Sequence, residues 1–121
     1  KSTVDYTGVA NGVPIAFEAK ETREERFYLK EIKEHQLEFL KLWVINGGIS
    51  FVLVNFVLKN EVFFLPLDNL LEYIEVSKTG KRGTKSIPYS DFKSTFPIVK
   101  SKNGIVLDYI DVVFFYYKLA V

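Results

Sequence analysis

The chain is 121 residues long, contains no cysteine or methionine, and carries a formal net charge of +1. Apolar residues make up 48% of the sequence and charged residues 26%, which is typical of a folded domain and too apolar for intrinsic disorder. The missing cysteines exclude disulfides, thiolate zinc sites and cysteine nucleophiles, and no apolar run reaches the roughly 18 residues of a membrane span. We therefore predict one cytoplasmic domain over residues 1–121 that does not associate with a membrane.

The amino-terminal part is predicted to be a β-hairpin. Residues 1–10 indicate a strand, Asn11-Gly12 is typical of a tight turn, and residues 13–20 alternate in polarity as a second strand. The alternation predicts a core face and a face that borders an open cleft. The predicted core set is Val13, Ile15, Phe17 and Ala19, and the cleft set is Ala16, Glu18 and Lys20.

Helices and buried strands are predicted to follow. Periodicity favours a helix from about Lys30 to Asn46, and a β-branched and aromatic run predicts a central strand over 49–56. The remaining predictions are a strand over 61–65, a helix capped by Asp68, a loop-rich basic segment with one short helix near residues 90–94, and a final helix over 109–119 capped by Asp108. This order predicts an α/β (α+β) fold with a mixed central sheet flanked by helices.

Positive charge is concentrated in residues 76–102, where seven basic residues stand against one acid and the net charge is +6. Such a block on a nearly neutral chain indicates contact with a polyanion, whereas the alternative is a solvated loop. The candidate phosphate contacts are Lys78, Lys81, Arg82 and Lys85.

A second candidate site lies on the predicted hairpin. Thr3 and Asp5 share a face of the first strand, and Glu18 and Lys20 share a face of its partner, so the turn brings the pairs together. Two carboxylates and a hydroxyl are hard oxygen ligands that suit Mg²⁺ or Mn²⁺. Lys20 could orient water or stabilise negative charge on a phosphate. The alternative is a surface strand with weak ion pairs.

Gln36 is predicted to lie on the apolar, sheet-facing stripe of the first helix, between Ile32 and Leu40. A carboxamide at such a position needs a partner. It could reach the hairpin site as a fourth oxygen ligand, or it could be satisfied by a backbone carbonyl. His35, the only histidine, is predicted to point away from this stripe, so a Ser-His-Asp mechanism has no support.

Several segments resemble the RecU family of Holliday junction resolvases, within the PD-(D/E)xK nuclease superfamily. The most specific block is Phe17-Glu18-Ala19-Lys20-Glu21-Thr22 followed by His35-Gln36. The likeness also includes Asp5-Tyr6-Thr7-Gly8-Val9, Gly48-Ile49-Ser50-Phe51-Val52, Lys85-Ser86-Ile87 and the stretch Ile105-Val106-Leu107-Asp108-Tyr109-Ile110. The resemblance therefore extends over nearly the whole chain.

The resemblance implies a restriction-endonuclease-like fold and assigns roles to the hairpin residues. Thr3, Asp5, Glu18 and Gln36 would hold Mg²⁺, and Lys20 would stabilise the transition state. Val4 stands where the superfamily motif has proline. The family is homodimeric and carries an upstream basic arm, helix and stalk, so this chain resembles a truncated form or fragment.

These observations predict a Mg²⁺-dependent endodeoxyribonuclease that resolves four-way DNA junctions in recombination and repair. Its expected partners are junction DNA and a second copy of the chain. One alternative is another PD-(D/E)xK enzyme, such as a restriction-like nuclease. The other is a catalytically silent DNA-binding module with the same fold.

Overall fold

A computed structural model of the chain describes residues 4–99, 101–102, 105–106 and 109–117. Its elements alternate between strands and helices, as the sequence predicts. In chain order they are β1 (Tyr6–Ala10), β2 (Val13–Thr22), β3 (Arg26–Tyr28), α1 (Glu34–Ile45), β4 (Ile49–Phe56), β5 (Glu61–Pro66), α2 (Leu67–Ser77), β6 (Ser86–Pro88), α3 (Tyr89–Thr95), β7 (Ile98–Val99), β8 (Ser101–Lys102), β9 (Ile105–Val106) and α4 (Tyr109–Tyr117).

Within the described residues, the main sheet has five strands in the order β1-β2-β4-β5-β7. β2 runs parallel to β4, and the other neighbours are antiparallel, so the sheet is mixed. The connection from β2 to the parallel strand β4 passes through α1, which places this helix on one face of the sheet. The predicted mixed sheet flanked by helices is confirmed.

The predicted turn at Asn11-Gly12 is also confirmed. Asn11 has φ of 51° and Gly12 has φ of 80°, the positive values that a two-residue hairpin turn requires. The turn fixes the register of β1 against β2, with Tyr6 opposite Phe17 and Gly8 opposite Ile15. The hairpin register determines which side chains meet farther along the two strands.

Both faces of the sheet are covered, which corrects the predicted open cleft beside β2. Ala16 and Glu18 are buried under α1, whereas Ala19, predicted to lie in the core, is exposed. Alternation identifies the two faces of a strand, but it does not show which neighbouring elements cover each face.

Two apolar layers lie on opposite faces of the sheet. The first packs α1, α2, α3 and the β3–β6 ribbon on the sheet, with Leu40 of α1 fully buried against it. The second contains Ile15, Phe51 and Phe64 and is covered by α4 through Val113. The central strand β4 contributes to both layers, so its predicted burial on both faces is confirmed.

Two predicted boundaries are corrected. α1 begins at Glu34, after a 3-10 turn over Leu29–Glu31, rather than near Lys30. α2 begins at Leu67 after Pro66, so Asp68 lies in the first turn and is not the cap. The predicted cap at Asp108 and the first three residues, including Thr3, lie outside the described residues.

The charged connection and the basic segment form a ribbon that the sequence did not predict. β3 and β6 pair as a short antiparallel ribbon, and α3 follows directly, where the sequence predicts a short helix near residues 90–94. The loop before β6 is held by Arg26, whose Nε donates to Ser86 Oγ at 2.5 Å and whose Nη2 donates to the Gly83 carbonyl at 3.2 Å. Hydrogen bonds from Arg26 therefore connect the basic segment to β3.

Candidate metal and nuclease site

The two predicted carboxylates meet at the open end of the β1–β2 hairpin. The backbone N–H of Asp5 donates to Glu18 Oε1 at 3.1 Å, and the backbone N–H of Ala19 donates to Asp5 Oδ2 at 2.8 Å. Each carboxylate therefore accepts a hydrogen bond from the opposite chain segment. These side-chain bonds continue the cross-strand connection beyond Tyr6, where β1 begins.

Glu18 is the buried centre of the site, with 4% of its surface exposed. A buried carboxylate is costly unless donors surround it. Besides the bond from the Asp5 N–H, Glu18 Oε2 accepts from Gln36 Nε2 at 2.9 Å and forms an ion pair with the Lys20 ammonium at 3.3 Å. The structure thus brings Asp5, Glu18, Lys20 and Gln36 together, while Thr3 lies outside the described residues.

Access to the site comes from the side of Asp5. Asp5 is exposed, and the Lys20 side chain keeps 18% of its surface accessible. The site therefore runs from a buried carboxylate to one that solvent or a phosphate can reach. Such a difference in exposure between the two carboxylates allows a large molecule to contact the site from the side of Asp5 without entering a closed cavity.

Gln36 has two partners, and the sequence identified neither securely. Its Oε1 accepts from the backbone N–H of Lys33 at 2.9 Å, and its Nε2 donates to Glu18. Lys33 is the N-cap residue of α1, so Gln36 at the third helical position satisfies one free N–H of the helix terminus. Lysine has no side-chain acceptor, which hides the usual capping signature from a sequence search.

Asp5 and Glu18 supply carboxylate oxygens, which are the ligands that Mg²⁺ prefers, whereas Lys20 offers no ligand atom. No group of three or more His, Cys, Asp or Glu side chains that could hold a metal occurs in the described part of the chain. A cation here would depend on Asp5 and Glu18, supplemented by other oxygens. Mg²⁺ is commonly bound in this way, through one or two carboxylates while it keeps several waters.

A separate charged cluster joins α3 to the start of β5. Glu61 accepts from the Tyr89 hydroxyl and from Lys93 Nζ at 2.6 Å. The hydrogen bond from Lys93 is the main reason that the pKa of Glu61 is lowered. Lys59 lies 3.2 Å from Glu25 and 4.9 Å from the centre of the Tyr89 ring. These groups satisfy one another, which indicates a structural role.

The predicted phosphate contacts divide into two kinds. Lys78, directly after α2, forms an ion pair with Glu75 at 2.7 Å. Lys81, Arg82 and Lys85 are exposed and form no ion pair within the described ranges. The latter three therefore have the freer charges for an anionic partner.

Comparison with known proteins identifies the family of the chain. The family model described as "RecU: Recombination protein U" matches residues 1–114. The chain belongs to the RecU family.

Curated RecU relatives are similar over most of the chain. The protein named "Holliday junction resolvase RecU" from Geobacillus sp. (strain WCH70) is 38% identical over 113 residues, covering 93% of this chain and 55% of the relative. The protein of the same name from Streptococcus gordonii is 42% identical over 81 residues, covering 66% and 40% respectively. The chain thus spans about half the length of the curated RecU proteins that it matches.

The described residues contain no helix long and apolar enough to cross a membrane.

Proposed function

We propose that the chain carries the nuclease centre of a Mg²⁺-dependent endodeoxyribonuclease that resolves four-way DNA junctions in recombination and repair. The observation that carries this proposal is the cross-strand pair Asp5–Glu18 with Lys20 ion-paired to Glu18. Membership of the RecU family supports the substrate class, since the matched relatives are named Holliday junction resolvases.

Asp5 and Glu18 would hold the cation, with Thr3 and the Gln36 oxygen as further ligands. The hydrogen bond from the Ala19 N–H uses Oδ2 of Asp5, so Oδ1 of this exposed residue lies outside that bond. When bound, Mg²⁺ would favour ionisation of the attacking water and offset charge on the scissile phosphate. The Gln36 oxygen would have to leave the Lys33 N–H in order to join the ligands.

Lys20 would stabilise negative charge on the phosphate during attack. Its ammonium is held 3.3 Å from Glu18 Oε2 and remains partly exposed, so it is positioned without being fully neutralised by burial. A fixed positive charge beside the reacting phosphate contributes without further reorganisation, which is the basis of electrostatic catalysis.

DNA would extend from this site over the exposed basic loop. Lys81, Arg82 and Lys85 would contact phosphates, whereas Lys78 is already paired with Glu75. A second copy of the chain would complete the enzyme, because symmetric cleavage of a four-way junction requires two strands to be cut. We therefore propose a homodimer on junction DNA.

The test is cleavage of a synthetic four-way junction and of a linear duplex with the same arm sequences, with and without Mg²⁺. The proposal predicts Mg²⁺-dependent cuts in the junction, little cleavage of the duplex, and no cleavage by Asp5→Asn. Equal cleavage of both substrates would favour a restriction-like nuclease. Binding without cleavage at any Mg²⁺ concentration would favour a catalytically silent module.

A further inference from the structure

A groove of about 550 Å³ lies between α1, α2 and the 3-10 turn over Leu29–Glu31. Pockets of this volume accommodate small organic ligands, and one nucleotide is well within that range. The floor of the groove is apolar and is formed by Leu29, Ile32, Leu37 and Ile74. Such a floor suits the flat face of a base.

The rim of the groove is polar and carries two lysines. The backbone N–H of Leu29 donates to the Lys85 carbonyl at 3.0 Å, which brings Lys30 and Lys85 to the same groove although they are distant in sequence. The hydroxyl residues Tyr28 and Ser77 also line it. The rim therefore offers both cations and hydrogen-bonding groups.

The two lysines at this rim differ from the lysines that are already paired on the described surface. Five other lysines form ion pairs there, namely Lys20, Lys41, Lys59, Lys78 and Lys93. Lys30 and Lys85 form none among the described residues, and Glu34 is the single acid lining the groove. The groove thus keeps a net positive charge that an anionic ligand could neutralise.

The groove and the candidate nuclease site are both formed in part by the first turn of α1. Gln36 bonds Glu18, and the next residue, Leu37, lines the groove. A strand whose phosphate lies beside the exposed Asp5 would therefore reach the groove within the length of a few nucleotides. This proximity favours a segment of the same DNA over an unrelated anionic partner.

We propose that the groove receives one unpaired nucleotide of the bound DNA strand, with its base on the apolar floor and its phosphate between Lys30 and Lys85. This inference rests on the proposed nuclease function. Removing a base from an intact duplex costs a few kcal/mol, whereas branched DNA can supply an unpaired base at lower cost. The groove would therefore contribute to a preference for branched DNA over linear duplex.

The direct test is an NMR titration of the chain with dTMP, thymidine and inorganic phosphate in separate arms. We expect dTMP to shift the backbone amides of Leu37, Ile74 and Ser77, and to do so at lower concentration than thymidine or phosphate. Removing both free lysines (K30A/K85A) should weaken dTMP binding by about tenfold, through loss of charge-assisted contacts. Lys78→Ala, which removes a paired lysine of the same segment, is the matched control and should change little.

A second variant tests the base rather than the phosphate. Ser77→Trp, on the last turn of α2, places an indole at the groove and should prevent dTMP binding while both lysines remain. Binding of phosphate alone with the same affinity as dTMP would overturn the proposal in favour of an anion site. The absence of dTMP shifts would overturn it as well.

The nuclease proposal and the groove proposal are tested by different measurements, namely cleavage and dTMP binding. Asp5→Asn should keep dTMP binding because Asp5 does not line the groove, yet it should lose cleavage. Cleavage without dTMP binding would contradict the groove alone. A wild-type chain that binds dTMP but never cleaves would contradict the nuclease proposal.

Discussion

Replacing Gln36 tests the link between the first helix and the candidate metal site. The side chain accepts from the Lys33 N–H and donates to Glu18 Oε2, both at 2.9 Å. Gln36→Leu removes both bonds, and it removes the donor from a carboxylate that is almost fully buried. No other described side chain is placed to cap this helix in the same way, since the N-cap residue is a lysine.

The size of the effect follows from these two losses. A lost N-terminal cap costs about 0.5–2 kcal/mol, and a buried group left with an unmade hydrogen bond costs about 1–3 kcal/mol. The added apolar contact of leucine offsets part of this. We expect the free energy of unfolding to fall by roughly 1–3 kcal/mol, and the Mg²⁺ requirement for cleavage to rise by about 10- to 100-fold.

Gln36→Glu is the matched variant. One carboxylate oxygen can still accept from Lys33, but the other faces Glu18 without a proton to donate, so the metal-free protein is destabilised by repulsion. Mg²⁺ should relieve this repulsion. Added Mg²⁺ should therefore stabilise Gln36→Glu more than wild type, and Gln36→Leu less.

Urea unfolding of the three proteins over a Mg²⁺ series measures these differences, and hydrogen exchange at the Lys33 amide reports on the cap. If the Gln36 oxygen becomes a metal ligand, the Lys33 amide should exchange faster in the Mg²⁺-loaded wild type but not in Gln36→Glu. A leucine variant as stable as wild type, with unchanged Mg²⁺ dependence, would refute this reasoning.

Three further predictions concern the carboxylates, the basic loop and the cluster around Glu61. Asp5→Asn should lower the rate of junction cleavage by at least about 100-fold. The Kd for junction DNA, measured by gel shift, should change little. Cleavage near the wild-type rate would exclude Asp5 as a metal ligand. Replacing Lys81, Arg82 or Lys85 with alanine should in each case reduce the slope of log affinity against log salt by about 1. Lys78→Ala should have a smaller effect on this slope because Lys78 is paired with Glu75. Equal slopes for all four variants would indicate that the segment is a solvated loop without phosphate contacts. Glu61→Gln should lower the free energy of unfolding at pH 7 by roughly 0.2–1 kcal/mol. The pKa of Glu61 is lowered in the folded state, so the ionised side chain stabilises the fold at pH values above the usual pKa of 4.5. This stabilisation is lost as the pH falls through the folded-state pKa. The difference in unfolding free energy between wild type and Glu61→Gln should therefore disappear at still lower pH, as measured by acid denaturation curves.

The hairpin and its carboxylate pair could be predicted because the information is local. Asn11-Gly12 specifies a two-residue turn, and the turn sets the register that carries Asp5 to Glu18. The apolar run of β4 likewise indicated a strand buried on both faces. In each case a few consecutive residues determine the local structure.

The remaining features depend on contacts between distant residues. The burial of Glu18 follows from α1 packing over β2, which the alternation of β2 does not show. The β3–β6 ribbon is three residues long on each strand, too short for a periodic pattern. The approach of Lys85 to Lys30 depends on the same ribbon and on the Leu29–Lys85 backbone bond.

The central claim is that Asp5 and Glu18 form one Mg²⁺ site at the end of the hairpin. The most direct measurement is an NMR titration of the DNA-free chain with Mg²⁺, followed at each backbone amide. The account predicts saturable shifts that are largest at Asp5 and Ala19, whose amides donate to the two carboxylates, and their loss in Glu18→Gln. Shifts that do not saturate, or that persist unchanged in Glu18→Gln, would contradict it.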